Sequence, residues 1–203
     1  MIEIHHLKES RSRRITWLLE ELELDYQVVM YQRDAQTRLA PPELKLIHPL
    51  GKAPILRDGE TTVFESGAIV QYLIQRYGNG RMAPAENAAD YPRYLSLMHY
   101  AEGSAMLPLM LRLYVGRLKE AGEPLHPRIE SELDTHFGFL NDALVGRTFF
   151  MGHELTGADV QLSFPIQMFV AAKGPEKFPE LTRFVKAIEA RPAYERAISK
   201  AGQ

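Results

Sequence analysis

Residues 51–77 read "GKAPILRDGETTVFESGAIVQYLIQRY". Two β-prone runs, "APIL" and "TTVF", flank Asp58-Gly59, a strong turn signal, so residues 53–64 predict a hairpin. The period then changes. Over residues 66–77 Ile69, Leu73 and Tyr77 fall on one stripe, which predicts a helix. Pro54 stands at the entrance of the first strand, where a missing backbone donor is tolerated. An X-Pro bond at such an entrance is a candidate cis bond. Glu65-Ser66 stands where the second strand gives way to the helix.

The elements upstream complete one layer pair. "MIEIHH" alternates as a short strand, residues 11–23 form a first helix, and "DYQVVMY" is β-branched and aromatic enough for a second strand. "PPELKLI" is a short helix, with proline permitted at its start. The order β-α-β-α-β-β-α implies an α/β domain with a mixed four-stranded sheet. "GNGRMAPAENAAD" then breaks the periodicity and marks a linker. Everything after about Asp90 reads as helix. A long segment runs from Tyr91 to about Lys119, bent at Pro108. "AGEPLHP" interrupts it, and a further helix follows from Pro127 to Leu144. "VGRTFFMGHEL" is a loop. In "LTGADVQLSFPIQMFVAA", Thr156 is an N-cap and Asp159 the acidic half of a capping box, with Leu155 and Val160 placed for a hydrophobic staple. Helices at 179–190 and 192–201 close the chain. The expected domains are 1–79 and 90–203, joined by 80–89.

The 203 residues carry a formal net charge of -2, with 45% hydrophobic and 25% charged residues, an ordinary soluble composition. That balance gives no global basic field for nucleic acid or an anionic membrane. No apolar run is long enough to span a bilayer, and the first ten residues lack the pattern of a signal peptide. A cytoplasmic location is expected. The absence of cysteine excludes disulfides, thiolate metal sites and a protein thiol nucleophile. Any thiol chemistry must use a ligand's thiol. His5 and His6, adjacent in a strand, point to opposite faces, and the other histidines lack ligand spacing, so no metal is expected.

Three places could carry chemistry. A cis Ala53-Pro54 would turn the Ala53 amide and carbonyl outward to pair with a peptide-like ligand. At Glu65-Ser66 the helix amides and the Ser66 hydroxyl suit a carboxylate, and the Glu65 carboxylate suits an ammonium. Together they fit an α-amino acid head group. Alone, each has a structural reading: Ser66 as an N-cap and Glu65 as a favourable charge at a helix start. The third place is "LKESRSRRITWLLEEL", 7–22. Ile15, Leu18, Leu19 and Leu22 form its apolar stripe, yet its first turn carries Arg11, Arg13 and Arg14. The start of a helix prefers anions, so three cations there are unfavourable until an anion arrives.

These stretches resemble the cytosolic glutathione transferase family over essentially the whole chain. "GKAPIL" resembles that family's cis-proline segment, "FESGAIVQYL" its γ-glutamyl-binding segment and "LTGADVQL" its C-terminal capping box. "SRSRRITWLLEELELDY" is most similar to the bacterial and fungal subgroup with a Ser-Arg-Ser start. The resemblance implies a thioredoxin-like N-terminal domain, an all-helical C-terminal domain and glutathione as co-substrate, without a prosthetic group. Its γ-glutamyl end would meet Glu65 and Ser66, its cysteinyl unit the Ala53 backbone beside Pro54, and its glycyl carboxylate Lys52. Ser10 is the first choice for the hydroxyl that stabilises the thiolate and Ser12 the second. Arg11 offers charge or a backbone amide. Met106, Met110 and Tyr114 would border the pocket of a hydrophobic electrophile or peroxide, although a Met-rich stripe is also ordinary core. A homodimer is implied. The activity implied is transfer of glutathione to an electrophile in detoxification. Peroxide or disulfide reduction on the same site, or a non-catalytic binding role, are its rivals.

Overall fold

The structure is a computed structural model that describes residues 1–173 and 177–201. Its first strand, β1 (Ile2–Leu7), lies inside a four-stranded sheet of order β2-β1-β3-β4, where β2 is Tyr26–Tyr31, β3 is Ile55–Asp58 and β4 is Thr61–Phe64. Strand β2 runs parallel to β1, while β3 is antiparallel to both β1 and β4. The expected hairpin forms around Asp58-Gly59. Gly59 takes φ +60°, the left-handed backbone such a turn requires. The alternation of "MIEIHH" suggested one buried face. As an interior strand, β1 buries both, and His5 and His6 are as hidden as Ile2 and Ile4.

Helix α1 (Ser12–Glu21) packs on β1, and α3 (Ser66–Tyr77) packs on β3, β4 and α1. The short α2 is Leu44–Ile47. At the far end of α3, Asp58 accepts hydrogen bonds from Tyr72 at 2.8 Å and from Tyr77, which ties the hairpin turn to the helix.

By contacts the chain divides into two units, residues 1–82 with 189–203, and residues 83–188. Helix α9 (Pro192–Ala201) thus belongs with the sheet, where it packs on α1. Two acids of α1 explain the attachment. Glu21 takes both Nε (2.5 Å) and Nη2 (2.8 Å) of Arg191, the fork geometry that favours arginine. Buried Glu20 receives Arg196 at 2.7 Å, Lys200 at 2.6 Å and the Tyr26 hydroxyl at 2.8 Å.

The second unit is helical, with α4 (Tyr91–Tyr100), α5 (Met106–Val115), α6 (His126–Ala143), α7 (Gly157–Lys173) and α8 (Pro179–Glu189). The long segment expected to bend at Pro108 changes pitch just before it, in a π turn at Ala101–Ala105. Proline supplies no donor for the carbonyl four residues back, and here that carbonyl belongs to Ser104, inside the wide turn. After α5 a 3₁₀ stretch, Gly116–Leu125, breaks its dihedrals at Lys119 (φ 51°). Gly122 is needed there, since a Cβ would lie 2.5 Å from the Val115 carbonyl oxygen. The expected capping box opens α7. Asp159 Oδ2 accepts the Thr156 amide at 2.8 Å and the Thr156 hydroxyl at 2.7 Å. Its Oδ1 accepts the Phe150 amide, also at 2.8 Å, which fixes the preceding loop.

Candidate functional site

Strand register assembles the site. His5 pairs with Ile55, and Ile55 with Phe64. The C-terminal end of β1, the N-terminal end of β3 and the C-terminal end of β4 therefore lie at one edge of the sheet. The residues just beyond them are the Ser10–Ser12 segment, Lys52–Pro54 and Glu65-Ser66, and helices α1 and α3 start there. Three stretches far apart in sequence are brought together by the topology alone.

The approach to α1 is held from outside. Arg33 donates to the carbonyls of Lys8 (3.1 Å), Glu9 (3.0 Å) and Arg38 (2.9 Å), around a turn in which Glu9 has φ 56°. Ser10 and Ser12 then form a hydroxyl pair with Oγ atoms 2.6 Å apart. Ser12, fully buried, is tied to the end of β1. Its Oγ accepts the Leu7 amide at 3.2 Å and donates to the Leu7 carbonyl at 3.3 Å. Ser10 Oγ accepts the Ser12 amide at 3.2 Å. Each hydroxyl has one proton to give. While Ser12 donates to the Leu7 carbonyl, Ser10 is the donor within the pair; when Ser12 turns its proton to Ser10 instead, the Ser10 proton is directed to a third group. The N-cap position itself is Arg11, which makes no side-chain cap, and the first turn contains no acid.

The three arginines separate by burial. Arg11 and Arg13 are half-buried, whereas Arg14 is 2% exposed. Its Nη2 donates to Ser66 Oγ at 2.6 Å. Ser66, 3% exposed, is the first residue of α3, whose first turn also lacks an acid. Before it Glu65 is exposed, with φ 67° and ψ 119°. That conformation is sparsely populated for a residue with a Cβ, costs about 1–3 kcal/mol and clusters at ligand sites. The Ala53-Pro54 bond is cis. Lys52 is exposed, Ala53 half-buried and Pro54 buried. His6, behind this edge, has its pKa lowered to about 4, first by burial and then by the charge of Arg13, so it is neutral at pH 7.

In the helical unit Met106 is buried, Met110 half-buried and Tyr114 exposed, with the Arg117 guanidinium 5.7 Å from its ring centroid. Among the described residues no cluster of three or more His, Asp or Glu side chains could hold a metal. No helix among them is long and apolar enough to cross a membrane.

Residues 4–75 match the family model of the glutathione S-transferase N-terminal domain, and residues 95–192 that of the glutathione S-transferase C-terminal domain. This chain belongs to the glutathione S-transferase family. Glutathione S-transferase 1 of Saccharomyces cerevisiae is 34% identical to it, over 99% of this chain and 95% of the relative. Glutathione S-transferase 3 of Schizosaccharomyces pombe is 32% identical, over 98% and 88%. The crystal structure of a glutathione S-transferase from Actinobacillus pleuropneumoniae superposes with a TM-score of 0.90 at 36% identity, covering 99% of this chain and 93% of that one. A family member from Pseudomonas fluorescens, solved with two glutathione molecules bound, gives 0.83 at 25% identity, covering 97% and 92%.

Within this transferase chain, sequence reading named Arg14 only alongside Arg11 and Arg13 as first-turn charge and gave it no role of its own. A signal was present: Arg14 stands four residues before Leu18, in line with the apolar stripe of α1, where a cation is out of place unless it meets a polar partner.

Proposed function

We propose that this chain binds glutathione at the shared edge where α1 and α3 begin, and activates its sulfur for attack on an electrophilic, largely hydrophobic co-substrate. The observation that carries the reading is the convergence there of the Ser10–Ser12 hydroxyl pair with Ser66, Arg14 and Glu65. Glutathione presents an ammonium and a carboxylate at its γ-glutamyl end, a thiol in the middle and a second carboxylate at its glycyl end. Glu65 meets the ammonium, while the Ser66 hydroxyl and the first amides of α3 meet the carboxylate. In this reading exposed Lys52 meets the glycyl carboxylate and the Ala53 backbone, beside the cis Pro54, meets the cysteinyl unit.

The chemistry asked of the site is modest. A free thiol has a pKa of about 8.5, so only a few per cent is thiolate at neutral pH. A helix N-terminus, nearby arginines and a hydroxyl donor all favour the anion. A drop of about two units requires about 2.7 kcal/mol of differential stabilisation. Ser10 is the donor in this reading, since Ser12 is fully buried and tied to the end of β1 through the Leu7 amide and carbonyl. Arg11, half-buried at the N-cap, adds positive charge. Of the three pocket candidates, Met110 and Tyr114 keep surface in contact with solvent, which supports them over buried Met106.

Calorimetric titration with glutathione tests the binding half. Glu65→Ala and Ser66→Ala should each weaken binding, by about 0.5–1.5 kcal/mol for an ordinary hydrogen bond and more for a charge-assisted one. Unchanged affinity in both would sink the assignment. Turnover with glutathione against a chloronitrobenzene, an organic peroxide and a hydroxyethyl disulfide then sorts transfer from reduction. The family's form implies a homodimer, so sedimentation at low micromolar concentration should give twice the 23.1 kDa chain mass. A monomer would contradict it.

A further inference from the structure

We infer that α9 is a strap on the carboxyl end of α1 whose docking is coupled to ligand occupancy at the amino end, each steadying the same helix and strengthening the other. The inference rests on the glutathione reading for the ligand and adds to it a conformational control from the far end of the chain. Helix α1 opposes its own dipole twice. Arginines occupy its N-cap and first turn, and Glu20 and Glu21 close it, with no acid in the first turn and no base in the last. Acids are unfavourable at the end of a helix, as cations are at its start. The two ends are balanced from different sources. At the carboxyl end the cations come from α9 and the residue before it: Arg191 on Glu21, and Arg196 and Lys200 on Glu20. Arg196 Nη2 also donates to the Glu20 carbonyl at 3.5 Å, one of the acceptors that a helix end leaves over. At the amino end the anion is the ligand.

Charge dominates the hold of α9. Three of its four buried side chains are alanines, Ala193, Ala197 and Ala201, which let the helices approach closely and bury little apolar area. The fourth, Tyr194, makes a T-shaped contact with Trp17, ring centroids 5.6 Å apart, and Trp17 Nε1 donates to Glu21 Oε1 at 2.8 Å. Helix α1 has 10 residues, too few to hold together alone in water. Its order therefore depends on what meets its two ends, and a helix loosened at one end frays toward the other. Two partners that favour one state of a shared element favour each other, by the same factor in both directions.

Trp17 is the only tryptophan and is fully buried at this contact, so its emission reports the docking of α9. The test uses the full chain as wild type, Arg196→Met, Lys200→Met and the double variant. Tyr72→Phe is the control, because it loosens the same unit through the hairpin turn instead of α9. Thermal melts establish which variants fold. Trp17 emission should move to longer wavelength in the double variant and move back when glutathione is added. Calorimetric titration should give about fivefold weaker glutathione affinity in the double variant, a smaller loss in each single variant and less than about twofold in Tyr72→Phe. Hydrogen exchange of the wild type should show α9 amides about fivefold better protected at saturating glutathione, with those of α6 unchanged. That measurement needs no variant, so it decides the matter even where the double variant fails to fold. Unaltered affinity in a double variant whose emission reports release, or a double variant whose emission stays that of the wild type, would overturn the inference while the glutathione reading stands. So would α9 exchange indifferent to glutathione, equal protection of α6, or a loss in Tyr72→Phe as large as that in the double variant. A wild type that binds no glutathione would overturn that reading, and this inference with it.

Discussion

Helices α7 and α1 begin in opposite electrostatic states. The start of α7 brings its own anion: Asp159 sits one turn in, fully buried, and accepts two backbone amides and a hydroxyl at 2.7–2.8 Å. The start of α1 has no acid in its first turn, an arginine at the N-cap and a pair of serines whose hydroxyls meet each other. Every helix start has orphan amides and a partial positive charge. Where the chain supplies the anion, the start is a structural joint. Where the chain supplies cations instead, the start suits an anionic ligand. The beginning of α3 belongs with α1, since it too has no acid in its first turn and has Arg14 behind its first residue.

The first way to break this comparison is at α7. Asp159→Ala leaves two amides and a hydroxyl without their acceptor, and should cost about 3–5 kcal/mol of stability, read from urea denaturation midpoints. The glutathione affinity of the folded fraction should not change. If stability were untouched, the self-supplied anion would not be a structural joint and the contrast would fail.

The second uses pH, and its effect is next in size. His6 is held neutral, its pKa lowered from 6.5 to about 4. A lowered folded-state pKa means the unfolded chain takes up the proton first. The contribution of His6 is therefore fully present above about pH 6.5 and is lost as pH falls toward 4, by up to roughly 3 kcal/mol. Asp159 runs the other way. Burial raises its pKa to about 6 against the hydrogen bonds it accepts, so its contribution is present below about pH 4 and is lost as pH rises through 6. The stability difference between wild type and His6→Gln, measured from pH 7.5 to 4, isolates the first of these. A flat difference would mean that burial and the Arg13 charge do not hold His6 neutral.

The same comparison shows what could be read from the sequence. The hairpin, the stripe of α3 and the box at Thr156/Asp159 were legible, because each is decided within a few residues by turn chemistry, helical period or a three-residue spacing. The proline at the strand entrance marked the cis bond. What escaped were consequences of long-range packing. No local signal tells α9 to return to α1, since its ion pairs span 170 or more positions. Burial on both faces of β1 follows from its interior place in the sheet. Phe150 joins the Asp159 cap from a loop nine residues away. Arg14 looked like its neighbours Arg11 and Arg13, and only the meeting of α1 with α3 set it apart.

The central claim is that the start of α1 holds a thiolate, and the most direct measurement is the absorbance of bound glutathione's thiolate against pH. The account predicts a bound-thiol pKa about two units below that of a free thiol in the wild type, and a clear rise in Ser10→Ala. The lost donor should slow thiolate-dependent turnover roughly ten- to hundredfold, equivalent to about 1.5–3 kcal/mol. Ser12→Ala, which chiefly loosens the end of β1, should shift the thiol less. A bound thiol that titrates near 8.5 in the wild type, or the same lowered pKa in both serine variants, would contradict it.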